Sequence, residues 1–129
     1  MDKVLIVDDS EFDRKMIKKA ITSKRSDIAF AELQTGQSVS DIILQEEPRL
    51  AILDIRMPGM DGFQVLDMIR ADPKTAGLPV LMISGSEQPE DRAISTAKGA
   101  DGYYVKPPSA AAYFNLGREI YEQYLCCSI

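Results

Sequence analysis

Leu50-Ala51-Ile52-Leu53-Asp54-Ile55-Arg56-Met57-Pro58-Gly59-Met60-Asp61-Gly62 is the stretch that decides the fold. Leu50 to Leu53 are apolar without a break, which reads as a strand covered on both faces, because a half-solvated strand would alternate. The run stops at Asp54, and a Pro- and Gly-rich turn leads into a helical pattern. Phe63, Val65, Leu66, Met68 and Ile69 carry that pattern until Asp72-Pro73 ends it. The same strand–turn–helix unit recurs on either side. Upstream, Val4-Leu5-Ile6-Val7 stops at the capping cluster Asp8-Asp9-Ser10, and Phe12, Met16, Ile17, Ala20 and Ile21 follow at helical spacing. A weaker strand, 28–33, then precedes Thr35-Gly36 and a helix with Val39, Ile42 and Ile43 on one face, closed by Pro48. Downstream come a strand at 79–83 and a helix at about 90–98 capped by Gly99. Tyr103-Tyr104-Val105 forms a fifth strand, and Ser109 caps a last helix running to about Tyr124. Five strands alternating with five helices specify an α/β fold: a doubly wound, five-stranded parallel sheet with helices on both sides.

Composition narrows the function classes. The chain has 129 residues, close to one domain's worth, and residues 1–129 are expected to form a single unit. Hydrophobic residues at 45% and charged residues at 27% are ordinary for a globular protein and argue against disorder. Fifteen Lys and Arg against 20 Asp and Glu give a net charge of −5, the wrong sign for nucleic acid or an anionic lipid surface. No apolar run approaches the ~20 residues that span a bilayer, and the N-terminal strand is too short for a signal peptide. The expected location is therefore cytoplasmic. Histidine is absent, which removes Ser-His-Asp and Cys-His catalysis and histidine-based zinc sites. Cys126 and Cys127 are adjacent and staple nothing; free thiols in a reducing compartment are expected.

In an open parallel sheet, sites form outside the carboxyl ends of the strands. The residues there are Asp8 and Asp9, then Asp54, then Ser84, then Lys106. Taken singly, Asp9 or Ser10 suits an N-cap, Ser84 before Gly85 suits a turn, and Lys106 suits a solvated surface. Asp54 resists such a reading, because no helix begins there. Three carboxylates converging at strand ends repel one another unless a cation neutralises them. Oxygen-only donors point to a hard ion, Mg2+ or Mn2+, which keeps open positions and commonly holds phosphate oxygens. A lysine and a hydroxyl beside it complete a phosphate-sized cradle around a nucleophilic carboxylate.

With these pieces in view, the chain resembles a receiver domain of a two-component response regulator, of the single-domain chemotaxis type. The matching pieces are Val7-Asp8-Asp9-Ser10, the stretch 53–62, Ile83-Ser84-Gly85 and Val105-Lys106-Pro107. The resemblance implies the flavodoxin-like strand order 2-1-3-4-5. It implies Asp54 as phosphoryl acceptor from a histidine kinase or histidine phosphotransfer protein, in a domain that assists its own phosphorylation and dephosphorylation without being an enzyme. Asp9 would ligate Mg2+ directly, Asp8 mainly through water, and the Arg56 backbone carbonyl would add a ligand. Lys106 would pair with the phosphoryl group across from a cis bond to Pro107, and Ser84 would donate its hydroxyl. Tyr103 matches the aromatic switch position, for which ordinary strand packing is the plain alternative. Phosphorylation would then change the surface of helix four, strand five and helix five. Arg56 and Ser86 fall at the positions that govern phosphoryl lifetime, Arg56 being expected to lie over the site.

Two features depart from the commonest pattern. Pro108 follows Pro107, where a large apolar residue is usual, and the tail Leu125, Cys126, Cys127, Ile129 is apolar for a chain end. The face Tyr113, Leu116, Gly117, Ile120, Tyr124 reads as a core stripe without the charge pattern of receivers that dimerise on DNA, so a monomer or weak dimer is expected. The 23 residues after Lys106 suffice for about one helix. Output is thus expected through a downstream protein target or a fused output domain. Two rivals share the fold. A haloacid-dehalogenase-type phosphohydrolase needs a second acid where Arg56 stands. A flavin-binding module needs hydroxyl-rich phosphate contacts where Asp8-Asp9 would repel the phosphate. A degenerate receiver serving only as a scaffold would not have all five functional positions filled.

Overall fold

Alternation decides which face each strand residue covers. In the computed structural model, which describes residues 2–85 and 88–126, the elements are β1 (Lys3–Val7), α1 (Glu11–Thr22), β2 (Ala29–Leu33), α2 (Val39–Glu46) and β3 (Leu50–Asp54). α3 (Gly62–Ala71), β4 (Val80–Ser84), α4 (Pro89–Ala97), β5 (Gly102–Val105) and α5 (Ala110–Ile120) follow. The five strands are parallel in the order β2-β1-β3-β4-β5, as expected. Val4, Ile6, Leu50, Ile52, Leu81 and Ile83 face one core with Ile17 and Ile21 of α1 and Tyr113 and Ile120 of α5. Leu5, Val7, Ala51, Leu53, Val80 and Met82 face the other with Val39 of α2 and Val65, Leu66 and Ile69 of α3. The unbroken apolar runs are the trace of these two cores. β2 lies at an edge with no fully buried residue, which explains its weaker pattern.

Local chemistry sets the helix starts. Ser10 caps α1 by accepting from Asp13 N–H, Asp61 and Gln64 close a capping box at α3, and Ser109 caps α5 through Ala112 N–H. α3 can begin beneath the end of β3 only because residue 62 is glycine: a Cβ there would lie 2.3 Å from the Asp54 carbonyl oxygen. α1 and α5 interlock just as closely, since a Cβ on Gly117 would come within 2.3 Å of Ala20 Cβ. α4 differs in kind. Asp91 and Ser95 are its only buried residues, with exposed side chains around them.

Three expectations need correction. Phe12 is 66% exposed although its spacing matched the buried stripe of Met16, Ile17, Ala20 and Ile21. The last helix stops its α-geometry at Ile120 and continues as a π-helical segment, Tyr121–Leu125. That wider turn brings Leu125 into the core, where its carbonyl accepts from Arg49. The Lys106–Pro107 bond is trans, there being no cis peptide among the described residues. The usual trans preference of X–Pro bonds, about 0.5–1 kcal/mol, prevails here.

The core stripe of α5 holds: Tyr113, Leu116, Gly117 and Ile120 are buried. Cys126 is exposed and outside any disulfide, and its Sγ donates to the Glu122 carbonyl at 3.0 Å. Cys127 and Ile129 lie outside the described residues, and so does Ser86. No described helix is long and apolar enough to cross a membrane.

Candidate functional site

The parallel sheet delivers its functional side chains to one edge. β1 and β3 pair Val7 with Leu53, so Asp8 and Asp54 emerge side by side. β3 pairs Asp54 with Ile83, and β4 pairs Ser84 with Val105, which sets Ser84 and Lys106 next in line. The Lys106 N–H extends the ladder by donating to the Ser84 carbonyl at 2.7 Å. Asp8 is held by its backbone, with its N–H on the Leu33 carbonyl and its own carbonyl accepting from the buried Arg14 guanidinium at 2.6 Å. Asp8 Oδ1 accepts the Ser10 N–H, tying the acid to the cap of α1.

At the centre stands the Lys106 ammonium. Its Nζ lies 2.9 Å from Asp13 Oδ2, 3.1 Å from Asp8 Oδ2 and 3.5 Å from Asp54 Oδ2. Burial would depress the lysine pKa, but the three carboxylates outweigh it and push it well above the usual lysine range. Burial, reinforced by the Asp8 charge, drives Asp54 the other way: its pKa is pushed up to about 7 despite Lys106 and the Arg56 N–H. Asp8 is raised too, chiefly by burial. For Asp13, burial is outweighed by hydrogen bonds from Tyr113 and Lys106, which hold it below the usual carboxylate range.

The donors suit a hard divalent cation. Asp8, Asp9 and Asp54 each bring a carboxylate oxygen to within 4.8 Å of the others. Asp8 Oδ2 is buried and makes no well-formed hydrogen bond, its charged neighbour being the Lys106 ammonium at 3.1 Å. A buried oxygen so placed, facing two further carboxylates, offers the kind of lone pair that a cation satisfies.

Around this centre the remaining expected residues are spread. Ser84 is fully buried at the end of β4. Tyr103 is 8% exposed and packs into the core on the α2–α3 side, with the Arg92 guanidinium of α4 4.8 Å from its ring centroid. Arg56 does not lie over the carboxylates. Its guanidinium turns to α4, with Nη2 at 3.0 and 2.8 Å from the two oxygens of buried Asp91. Two participants escaped the sequence reading. Asp13 reads locally as a favourable acid in the first turn of a helix. Tyr113 reads as part of the α5 stripe; its burial was legible, but its hydroxyl bond to Asp13, across 100 residues of sequence, was not.

Comparison with known proteins agrees with this geometry. Residues 4–115 match the response regulator receiver domain family. The chain is 31% identical over 107 residues to Protein PilH of Pseudomonas aeruginosa, covering 83% of this chain and 87% of PilH. Transcriptional regulatory protein GltR of the same species is 32% identical over 104 residues, 81% of this chain but 42% of GltR. The phosphorylated cyanobacterial phytochrome response regulator RcpA superposes with a TM-score of 0.87 at 25% identity, covering 96% of this chain and 94% of that one. The Mn2+-bound form of response regulator Rcp1 shares the fold, with a TM-score of 0.86 at 23% identity and coverages of 97% and 95%.

One expectation fails against these relatives. The reading that this is not an enzyme is overturned by a Vibrio cholerae protein named as a probable cyclic di-GMP phosphodiesterase. That protein is 31% identical over 106 residues, 82% of this chain and 23% of its own length. The physical reason is modularity: this fold is a separate folding unit that also occurs inside enzymes, so its own site does not exclude catalysis by the protein that carries it. The match over residues 4–115, the relationship to PilH along most of both chains and the shared fold lead to one conclusion: the chain belongs to the receiver domain family of two-component response regulators.

Proposed function

We propose that residues 1–129 act as one phosphoacceptor receiver, working in the cytoplasm, in which Asp54 takes a phosphoryl group from a phosphohistidine on a histidine kinase or phosphotransfer protein. The observation that carries this reading is the Lys106 ammonium shared by Asp8 and Asp54, with Asp9 completing a carboxylate trio. An Asp54 carboxylate oxygen attacks phosphorus in line; the new P–O bond forms as the P–N bond to the donor imidazole breaks, and that nitrogen regains a proton from solvent. Asp8, Asp9, Asp54 and the Arg56 backbone carbonyl would hold Mg2+ or Mn2+, which supplies positive charge against the transferring phosphoryl oxygens. Lys106 pairs with one phosphoryl oxygen and Ser84 donates its hydroxyl to another.

Ser84 and Lys106 moving toward the new oxygens would draw in the loop after β4 and let Tyr103 rotate, altering the α4–β5–α5 surface. The Arg92–Tyr103 contact supports that route, because it links the aromatic ring to α4. The output partner is a protein target or a fused domain rather than nucleic acid, in keeping with the net charge of −5. Incubation with acetyl phosphate and Mg2+, followed by intact-mass measurement, tests the reading. One phosphoryl adduct is expected, lost in Asp54→Ala and in EDTA; an undiminished adduct in either condition overturns it.

A further inference from the structure

We propose that Asp13, fixed by the Tyr113 hydroxyl, is a positioning residue that restrains Lys106 in the resting site and opposes the arrival of a phosphoryl group on Asp54. The inference rests on the phosphoacceptor reading and adds a brake to it. An ammonium has three hydrogens to donate, and here three carboxylates surround it. The nearest is Asp13 at 2.9 Å, closer than Asp8 at 3.1 Å or Asp54 at 3.5 Å. Asp13 lies outside the trio that could share a cation, so a bound metal does not offset its charge directly.

The placement of Asp13 is built in from two directions. Its backbone N–H is taken by Ser10 Oγ at the cap of α1. Its Oδ1 accepts the hydroxyl of Tyr113, which is 2% exposed in α5. Oδ2 is thereby left aimed at Lys106, and the carboxyl is ionised because its pKa sits below the usual range. A phosphoryl group on Asp54 adds negative charge and needs Lys106 as its partner. Asp13 competes for that partner and repels that charge, so both effects oppose phosphorylation. The Tyr113 hydroxyl acts in the same sense, since it anchors the carboxylate that holds the lysine.

Beryllofluoride with Mg2+ serves as the phosphoryl probe, followed by tyrosine fluorescence, which is unobscured because the chain has no tryptophan. Asp13→Asn is expected to bind the probe about three- to tenfold more tightly than wild type. Tyr113→Phe is expected to bind it about two- to threefold more tightly, and the double variant to match Asp13→Asn, because the tyrosine acts through the carboxylate. A merely structural role would weaken binding in both single variants. Binding by Asp13→Asn that is equal to or weaker than wild type overturns the proposal. Should Asp13→Asn fail to fold, Tyr113→Phe decides alone, with equal or weaker binding overturning it. Failure of the underlying reading looks different: wild type would then not bind the probe, or Asp54→Ala would bind it equally well.

Discussion

Replacing Asp54 with Asn should stabilise the metal-free protein, by an amount that depends on pH. Asp54 is almost fully buried, and its pKa is pushed from 3.8 up to about 7, by burial first and the Asp8 charge second. A carboxyl whose folded pKa lies above its unfolded one favours folding while protonated, and that contribution is lost as pH rises through the window from about 4 to 7. Three units at 1.36 kcal/mol each set a ceiling of about 4 kcal/mol on the penalty above pH 7. Between pH 5 and pH 8 the penalty grows by roughly 3 kcal/mol. Asn resembles the neutral acid in shape and carries no such penalty. Urea unfolding of wild type and Asp54→Asn in EDTA, at both pH values, reads the difference directly. The Asn variant should be more stable at pH 8 and its advantage smaller at pH 5; millimolar Mg2+ should stabilise wild type and narrow the gap. An Asn variant no more stable than wild type at pH 8 in EDTA, or a gap indifferent to pH, refutes the electrostatic account.

Lys106→Ala should still fold with millimolar Mg2+ present, which replaces its charge between buried Asp8 and Asp54. It should nonetheless abolish the beryllofluoride-induced change around Tyr103, read by fluorotyrosine NMR, and a wild-type response would remove Lys106 from the switch. Arg56→Asn should speed loss of the phosphoryl adduct several-fold, because the amide can hold a water that the Asp91-bound guanidinium does not. A tenfold change needs only about 1.4 kcal/mol of barrier, and equal or slower decay followed by intact mass would deny the residue that role. Gly117→Ala should destabilise the fold by about 1–3 kcal/mol in urea, as the new Cβ meets Ala20 at 2.3 Å; unchanged stability would mean that α1 and α5 can part freely.

The fold was legible where a residue's neighbours lie close in sequence or where the sheet repeats a rule. Val4 to Val7 and Leu50 to Leu53 announced strands covered on both sides, and each run stopped at the residue that the site uses. Asp8, Asp54, Ser84 and Lys106 could therefore be collected at one edge without knowing the register. Phe12 misled because helical spacing reports a face but not whether anything lies beneath its first turn. Asp13 and Tyr113 stayed hidden because each has a sufficient local explanation, a helix-start acid and a core aromatic. The orientation of Arg56 was out of reach for a related reason: its partner Asp91 looks like an ordinary first-turn acid of α4.

The two flanks of the sheet differ in compliance. On the α1–α5 flank, apolar side chains interdigitate and Gly117 lets two backbones touch, so displacement there would open a void at a cost of several kcal/mol. α4 buries only Asp91 and Ser95, and its tethers include the Arg56–Asp91 ion pair and the Arg92–Tyr103 stack. Tethers of those kinds, with one partner exposed, amount to about 1–2 kcal/mol together. Loads applied to α4 at the carboxyl edge will therefore be taken up more readily than loads on the α1–α5 flank. A tilt of that helix needs only an order-of-magnitude change in an equilibrium constant, well within what a single charge can deliver.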